Sequence, residues 1–121
     1  MPLVVALIDD LMFLSRVLEA ASVSGTEVKT VRSADALLEA CRARPDALVV
    51  ADLDSPRLRA VEAVRALRAD PALESIPVAG FLSHVHADLA REAREAGVGR
   101  VLARSAFVQE LPGLIGRGAG G

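Results

Sequence analysis

The sequence has few residues of several chemically specialised types. Its 121 residues include one cysteine, two histidines, three phenylalanines and neither tyrosine nor tryptophan. A single cysteine, Cys41, excludes an internal disulfide, and its place on the inner face of a predicted helix indicates core packing. Scarce aromatic side chains leave little on which nucleic-acid bases could stack. A net charge of −2, with both signs spread along the chain, also argues against a nucleic-acid partner.

Long apolar runs and a positively charged leader are missing as well. No stretch approaches the roughly 20 apolar residues that cross a bilayer, and the first residues do not resemble a secretory signal. We therefore expect no membrane association and a cytoplasmic location. At 52% hydrophobic content the chain fits one domain with a single core. We expect that domain to span residues 1–117, with a flexible, glycine-rich tail at 118–121.

The chain does contain short apolar runs that alternate with segments of helical periodicity. Runs at 3–8, 47–51 and 76–82 predict strands that are buried on both faces. Residues 26–31 alternate in polarity and predict an edge strand, and 100–103 predict a short fifth strand. Repeated strand–helix units predict an α/β fold, a doubly wound five-stranded parallel sheet in the order 2-1-3-4-5. This is a flavodoxin-like sandwich of three layers.

The predicted helices have identifiable ends and faces. Gly25 and Gly97 follow the first and fourth helices, as is typical of helix C-termini. Pro112 is expected to break the last amphipathic segment. The third helix is expected to expose its arginines on a solvated face. These arginines are Arg57, Arg59, Arg65 and Arg68.

Acidic residues follow two of the apolar strands. Asp9 and Asp10 come directly after the first strand, and Asp52 ends the third. Because the carboxyl ends of parallel strands lie along one edge, where ligands bind, we expect these carboxylates to converge. Mg²⁺ prefers hard oxygen ligands and is commonly held by one or two carboxylates with water and phosphate. The sequence therefore predicts a magnesium site, with the capping of helices and turns as the alternative role.

This arrangement resembles the receiver domain of two-component response regulators over nearly the whole chain. The match rests on the acidic pair Asp9 and Asp10, on Asp52 at the phosphoacceptor position and on Pro56 four residues later. Further positions agree with the family pattern. They are Ile76-Pro77-Val78 at the start of strand four, Gly97 after helix four and Phe107 in helix five.

The resemblance implies a stand-alone signalling domain in a phosphorelay and not an enzyme. Asp52 would attack a phosphohistidine or acetyl phosphate and become an acyl phosphate. Mg²⁺, the implied cofactor, would be held by Asp9, Asp10, Asp52 and the backbone carbonyl of Asp54. The implied partner is a protein, such as a histidine kinase or a phosphotransfer protein, and self-association into a homodimer is a further option.

Two positions depart from the family pattern, and both would contact the phosphoryl group. Leu82 occupies the Thr or Ser site and cannot donate a hydrogen bond, while the adjacent Ser83 would substitute only if the loop shifts. Arg104 occupies the Lys site, and its planar fork differs from a compact ammonium. Since Lys29 is the only lysine, an arginine there is also expected from composition. We therefore predict an atypical receiver whose reaction residues are Asp52, Ser83 and Arg104.

A second reading of the sequence is a phosphorylation-independent adaptor, or pseudo-receiver, that acts through protein–protein contact. Its candidate surface residues are Val85, Leu89, Phe107 and Val108. At helical spacing such residues more often pack inside the domain.

The acidic region has two further interpretations. Residues 48–55 resemble the Asp-x-Asp signature of haloacid-dehalogenase-type phosphohydrolases, which implies Asp52 as nucleophile and Asp54 as general acid, but the chain has no lysine downstream of Asp52. His84 and His86 would join the aspartates in a zinc or manganese site. Two histidines in a loop are more often solvated or helix-capping.

Overall fold

The computed structural model describes residues 2–83 and 86–117 and consists of alternating strands and helices. The strands are β1 (Leu3–Leu7), β2 (Glu27–Val31), β3 (Leu48–Asp52), β4 (Val78–Leu82) and β5 (Arg100–Ala103). The helices are α1 (Leu11–Ser24), α2 (Ala34–Ala43), α3 (Ala60–Ala69), α4 (Ala87–Ala96) and α5 (Arg104–Arg117). The tail expected at 118–121 lies outside the described residues.

The strands form a parallel sheet in the order β2-β1-β3-β4-β5, which confirms the predicted α/β fold and strand order. Helices α1 and α5 cover one face, and α2, α3 and α4 cover the other. The register sets Leu7 beside Ala51 and Asp52 beside Phe81. The carboxyl ends of β1, β3 and β4 therefore lie next to each other at one edge of the sheet.

Burial explains why these apolar runs form the central strands. Every residue of β1, β3 and β4 is buried, whereas β2 is largely exposed, as predicted for an edge strand. Successive side chains of a strand point to opposite faces, so each central strand supplies both cores. Val4 and Ala6 pack under α1 and α5, whereas Val5 and Leu7 pack on the other face.

The last helix differs from the prediction, because α5 runs through Pro112 without a break. A proline inside a helix removes one hydrogen bond and costs about 3 kcal/mol. Several α5 side chains are buried against the sheet, and this packing outweighs the local cost. They are Phe107, Leu111, Leu114 and Ile115. The helix begins at Arg104, three residues before Phe107.

One arginine of α3 is not on a solvated face, which corrects the prediction for Arg68. Its guanidinium donates to the carbonyl oxygens of Glu74 (2.6 Å), Ile76 (2.7 Å) and Gly97 (2.8 and 3.0 Å). Chain turns and helix ends leave carbonyl groups without regular partners, and a forked cation satisfies several at once. Arg57 and Arg59 are exposed, and the Arg65 side chain is half exposed.

The backbone of β4 passes close to the loop that follows β3. A Cβ on Gly80 would lie 2.7 Å from Leu53 Cδ1, so a larger residue there would force the buried Leu53 side chain to shift. The contact holds β4 against the chain that carries Asp52 and Asp54. Within 2–83 and 86–117, no helix is both long and apolar enough to cross a bilayer.

Candidate functional site

Four carboxylates surround one open depression at the carboxyl edge of the sheet. Asp9 and Asp10 follow β1, Asp52 ends β3, and Asp54 lies in the loop after it. The depression has a volume of about 280 Å³. Its other lining residues are Ser55, Pro56, Arg57 and Arg104. The structure thus brings together the four predicted metal-site residues and Arg104.

Asp52 is the most enclosed of these carboxylates, with 2% of its surface exposed. Its Oδ1 accepts a hydrogen bond from the backbone N–H of Asp54 at 3.1 Å, and its Oδ2 lies 3.5 Å from Arg104 Nη2. Burial raises the pKa of Asp52 above the usual range for an aspartate, although the Arg104 charge and the Asp54 N–H act in the opposite direction. Asp52 is therefore a desolvated carboxylate that retains two stabilising donors.

Asp10 has a structural role as well as a place in the depression. Its Oδ1 caps α1 by accepting from the N–H groups of Met12 (3.0 Å) and Phe13 (3.1 Å). Its Oδ2 lies 3.3 Å from Arg104 Nη1. Helix capping, the alternative role for these aspartates, is thus observed for Asp10, and only its Oδ2 faces Arg104.

Asp9 is tied to the loop that follows β3. Its Oδ2 accepts from the Ser55 hydroxyl at 2.9 Å and lies 3.9 Å from Arg57 Nε. Asp9 and Ser55 are 46 positions apart in sequence. Their hydrogen bond holds the loop after β1 against the loop after β3, so the depression keeps its shape.

The Asp54 carboxylate is turned into the site and bridges two loops. Its Oδ2 accepts from the backbone N–H of Ser83 at 2.6 Å and lies 3.8 Å from Arg104 Nε. Its Oδ1 is buried and has no hydrogen-bond partner among the described residues, with His86 Nε2 at 3.8 Å. The resemblance implied a role for Asp54 as metal ligand through its backbone carbonyl only. In the sequence, the feature that could have indicated a role for the Asp54 side chain is its position two residues after Asp52.

Arg104, the first residue of α5, lies at the centre of the cluster. Its three guanidinium nitrogens face Asp10, Asp52 and Asp54. The guanidinium carbon lies 5.6 Å from the ring centre of Phe13 and 5.1 Å from that of Phe81. The sequence identified Arg104 as a site residue but did not predict this aromatic support.

The neighbouring predicted residues have different placements. Leu82 is 4% exposed and packs into the core on the face covered by α2, α3 and α4. Ser83 reaches the cluster through its backbone N–H. His86 lies near Asp54, whereas His84 is outside the described residues.

The residues predicted for an adaptor surface are largely internal in the structure. Phe107 is fully buried, and Leu89 and Val108 are partly buried against the two cores. Val85 is outside the described residues. The expectation that such side chains pack inside the domain therefore holds for Phe107.

The carboxylates of the depression are chemically suited to bind a hard divalent cation, but they are not already arranged around a metal position. Across 2–83 and 86–117, no three Asp, Glu, His or Cys side chains are arranged to hold a metal ion. Carboxylate oxygens are the ligands that Mg²⁺ prefers, and four carboxylates line the depression. In this arrangement, however, one oxygen of each carboxylate faces Arg104 or the Ser55 hydroxyl.

Structural comparison identifies the fold. No protein-family model matches the chain, and no curated protein matches it at a significant level.

Solved structures do match. The phosphorylated cyanobacterial phytochrome response regulator RcpA shares 25% identity at a TM-score of 0.78, covering 93% of this chain and 89% of that one. The Mn²⁺-bound response regulator Rcp1 shares 19% at 0.77, covering 93% and 91%. A response regulator from Hahella chejuensis shares 21% at 0.76, covering 93% and 88%. The chain therefore has the fold of a response-regulator receiver domain.

Proposed function

We propose that this chain is a receiver domain in a phosphorelay and that Asp52 accepts the phosphoryl group. The observation that carries this proposal is the position of Asp52 at the end of β3. There its carboxylate is enclosed, faces an open depression and lies beside a fixed cation. The phosphoryl donor would be a protein partner, a histidine kinase or a phosphotransfer protein, or a small acyl phosphate.

The reaction is a displacement at phosphorus. One oxygen of Asp52 forms a new P–O bond while the bond from phosphorus to the donor breaks. The donor leaves with that electron pair: acetyl phosphate releases acetate, and phosphohistidine releases the histidine imidazole, which takes up a proton from water. Arg104 and the Asp54 N–H each contact one oxygen of Asp52, and from there they would stabilise negative charge on the transferring group.

A divalent metal fits the donor chemistry of this site. Asp9, Asp10 and Asp52, with the backbone carbonyl of Asp54, would hold Mg²⁺. When bound, the metal supplies positive charge that neutralises the transferring phosphoryl group. Binding requires that the carboxylates exchange some of their present contacts with Arg104 and Ser55.

The transfer should be slow compared with a receiver that has a hydroxyl at the end of strand four. Leu82 has no donor, and its side chain is committed to the core. The nearby Ser83 N–H already donates to Asp54. A phosphoryl group on Asp52 therefore finds fewer free donors, and we describe the proposed receiver as atypical.

The contacts of Arg104 favour a second candidate, an adaptor that works without phosphorylation. Arg104 already pairs with the carboxylates around Asp52, so the loops are held together without a phosphoryl group. An adaptor of this kind would present one fixed surface to its partner.

Intact-mass measurement after incubation with acetyl phosphate and Mg²⁺ separates the two candidates. The phosphorelay function predicts one phosphoryl adduct on the wild-type protein and none on Asp52→Asn. Asp88→Asn is the matched control, because it makes the same change at an exposed carboxylate on α4 and should keep the adduct. An adduct that persists in Asp52→Asn would refute Asp52 as acceptor. A folded wild-type protein with no adduct would favour the adaptor.

A further inference from the structure

A single guanidinium faces three of the four carboxylates in the depression. Arg104 Nη1 lies 3.3 Å from Asp10 Oδ2, Nη2 lies 3.5 Å from Asp52 Oδ2, and Nε lies 3.8 Å from Asp54 Oδ2. Each nitrogen thus forms an ion pair with a different carboxylate, and the two Nη contacts are hydrogen bonds. A compact ammonium has no comparable planar fork. The arginine is therefore matched to this set of oxygens.

The guanidinium is held in this position by more than its ion pairs. The rings of Phe13 and Phe81 stack with centres 3.9 Å apart, and the guanidinium carbon lies 5.6 and 5.1 Å from those centres. Such cation–aromatic contacts stabilise a charged group that is partly removed from water. The Arg104 side chain is 37% exposed, so the cation is only partly screened by solvent. Arg104 is thus held in the site by aromatic contacts as well as by its ion pairs.

The oxygens that face Arg104 are those that a metal ion would need. The other oxygen of Asp10 caps α1, and the other oxygen of Asp52 accepts the Asp54 N–H. A dication can therefore reach these two residues most easily through the same Oδ2 atoms. Positive charges a few ångströms apart repel each other strongly when water is partly excluded.

We propose that Arg104 is the resident counter-ion of the carboxylate cluster and that it lowers the affinity of the site for divalent cations by competing for the same oxygens. This inference rests on the metal site in the proposed function. It adds a regulatory relation, because metal binding and displacement of Arg104 become linked. By reciprocity, a bound dication weakens the contacts of Arg104 to the same degree.

Titration with Mn²⁺ followed by electron paramagnetic resonance tests the competition without any phosphoryl transfer. Arg104→Gln removes the charge and should bind Mn²⁺ at least about tenfold more tightly than the wild-type protein, since the loss of a neighbouring positive charge exceeds one factor of ten in binding. Arg104→Lys keeps the charge but loses the fork, and its affinity should lie between the two. Arg100→Gln is the matched control, because Arg100 on β5 pairs with the partly exposed Glu110 away from the depression. Its affinity should equal that of the wild-type protein.

Each result distinguishes the competition from the metal site itself. Equal Mn²⁺ affinity in the wild-type protein and a folded Arg104→Gln overturns the competition but leaves the metal site in place. Weaker binding in Arg104→Gln also overturns it. Failure of both proteins to bind Mn²⁺ at millimolar concentration overturns the metal site and the competition together. If Arg104→Gln does not fold, an Arg104→Lys affinity equal to or below that of the wild-type protein overturns the proposal.

Discussion

The aspartates of the depression differ in burial, and they therefore differ in hydration and in hydrogen bonding. Asp52 is almost fully enclosed, and its carboxylate has lost most of its hydration. Desolvation accordingly raises the pKa of Asp52. Asp10 is more exposed and is committed to α1 through two backbone N–H groups. Burial therefore destabilises the ionised form of Asp52, although the residue lies next to the open depression.

Replacement of Asp52 by asparagine should stabilise the fold at neutral pH. The folded-state pKa of Asp52 is raised, so the folded protein favours the protonated form more than the unfolded chain does. The protonated carboxyl of Asp52 is therefore the form that folding favours. Its contribution to the stability of the fold is fully present below the unfolded-state pKa, and it is lost as the pH rises through the folded-state pKa. We expect Asp52→Asn to melt a few degrees higher than the wild-type protein at pH 7, with the difference shrinking toward pH 3.

Calorimetry or circular dichroism across this pH range measures the effect. Asp88→Asn again serves as control, since its exposed carboxylate should give no comparable pH-dependent gain. A lower melting temperature for Asp52→Asn at pH 7 would show that its contacts with Arg104 and the Asp54 N–H outweigh desolvation.

One side chain, Arg68, links the C-terminal ends of α3 and α4 to the segment that precedes β4. Arg68, near the end of α3, donates to Glu74 and Ile76 before β4 and to Gly97 after α4. Gly97 has a φ of 112°, and a Cβ there would lie 2.6 Å from Arg68 Cγ. The close approach and the left-handed backbone both require glycine. These contacts fix α3 and α4 relative to β4.

Loss of the Arg68 side chain should therefore destabilise the domain. Arg68→Ala removes these donors from the partly buried carbonyl oxygens of Ile76 and Gly97, and we expect a loss of about 2–4 kcal/mol in unfolding free energy. Urea denaturation measures the loss. Arg65→Ala, which removes a half-exposed arginine from the same helix, should change stability by less than about 0.5 kcal/mol. Comparable losses in both variants would contradict this account.

The fold of the whole domain is stabilised by two hydrophobic cores, one on each face of the sheet. One core lies beneath α1 and α5, where Phe13, Phe81 and Phe107 pack together. The other lies beneath α2, α3 and α4 and includes Cys41, which is fully buried, as predicted. Burial raises the pKa of the Cys41 thiol to about 11. The thiol is thus protonated and shielded as long as the core is closed.

Cys41 should accordingly report unfolding of the domain. In the folded protein at pH 8 we expect negligible reaction with a thiol reagent such as Ellman's reagent, because the reactive thiolate is scarce and inaccessible. In denaturing urea the reaction should be complete within minutes. The extent of reaction across a urea series should follow the unfolding transition seen by circular dichroism. Rapid labelling in the absence of denaturant would show that α2 opens locally.

The amino-acid sequence was enough to predict the layered fold, the strand order and the grouping of Asp9, Asp10 and Asp52. These features follow from local patterns, because polarity along a strand or helix records which faces are buried. It was not enough to predict the contacts of Arg104 and Asp54. Arg104 pairs with Asp10 across 94 positions, and Asp54 accepts from Ser83 across 29. Such pairings depend on how loops from separate strands meet and on which oxygen each carboxylate turns inward, and only the packed tertiary structure decides both.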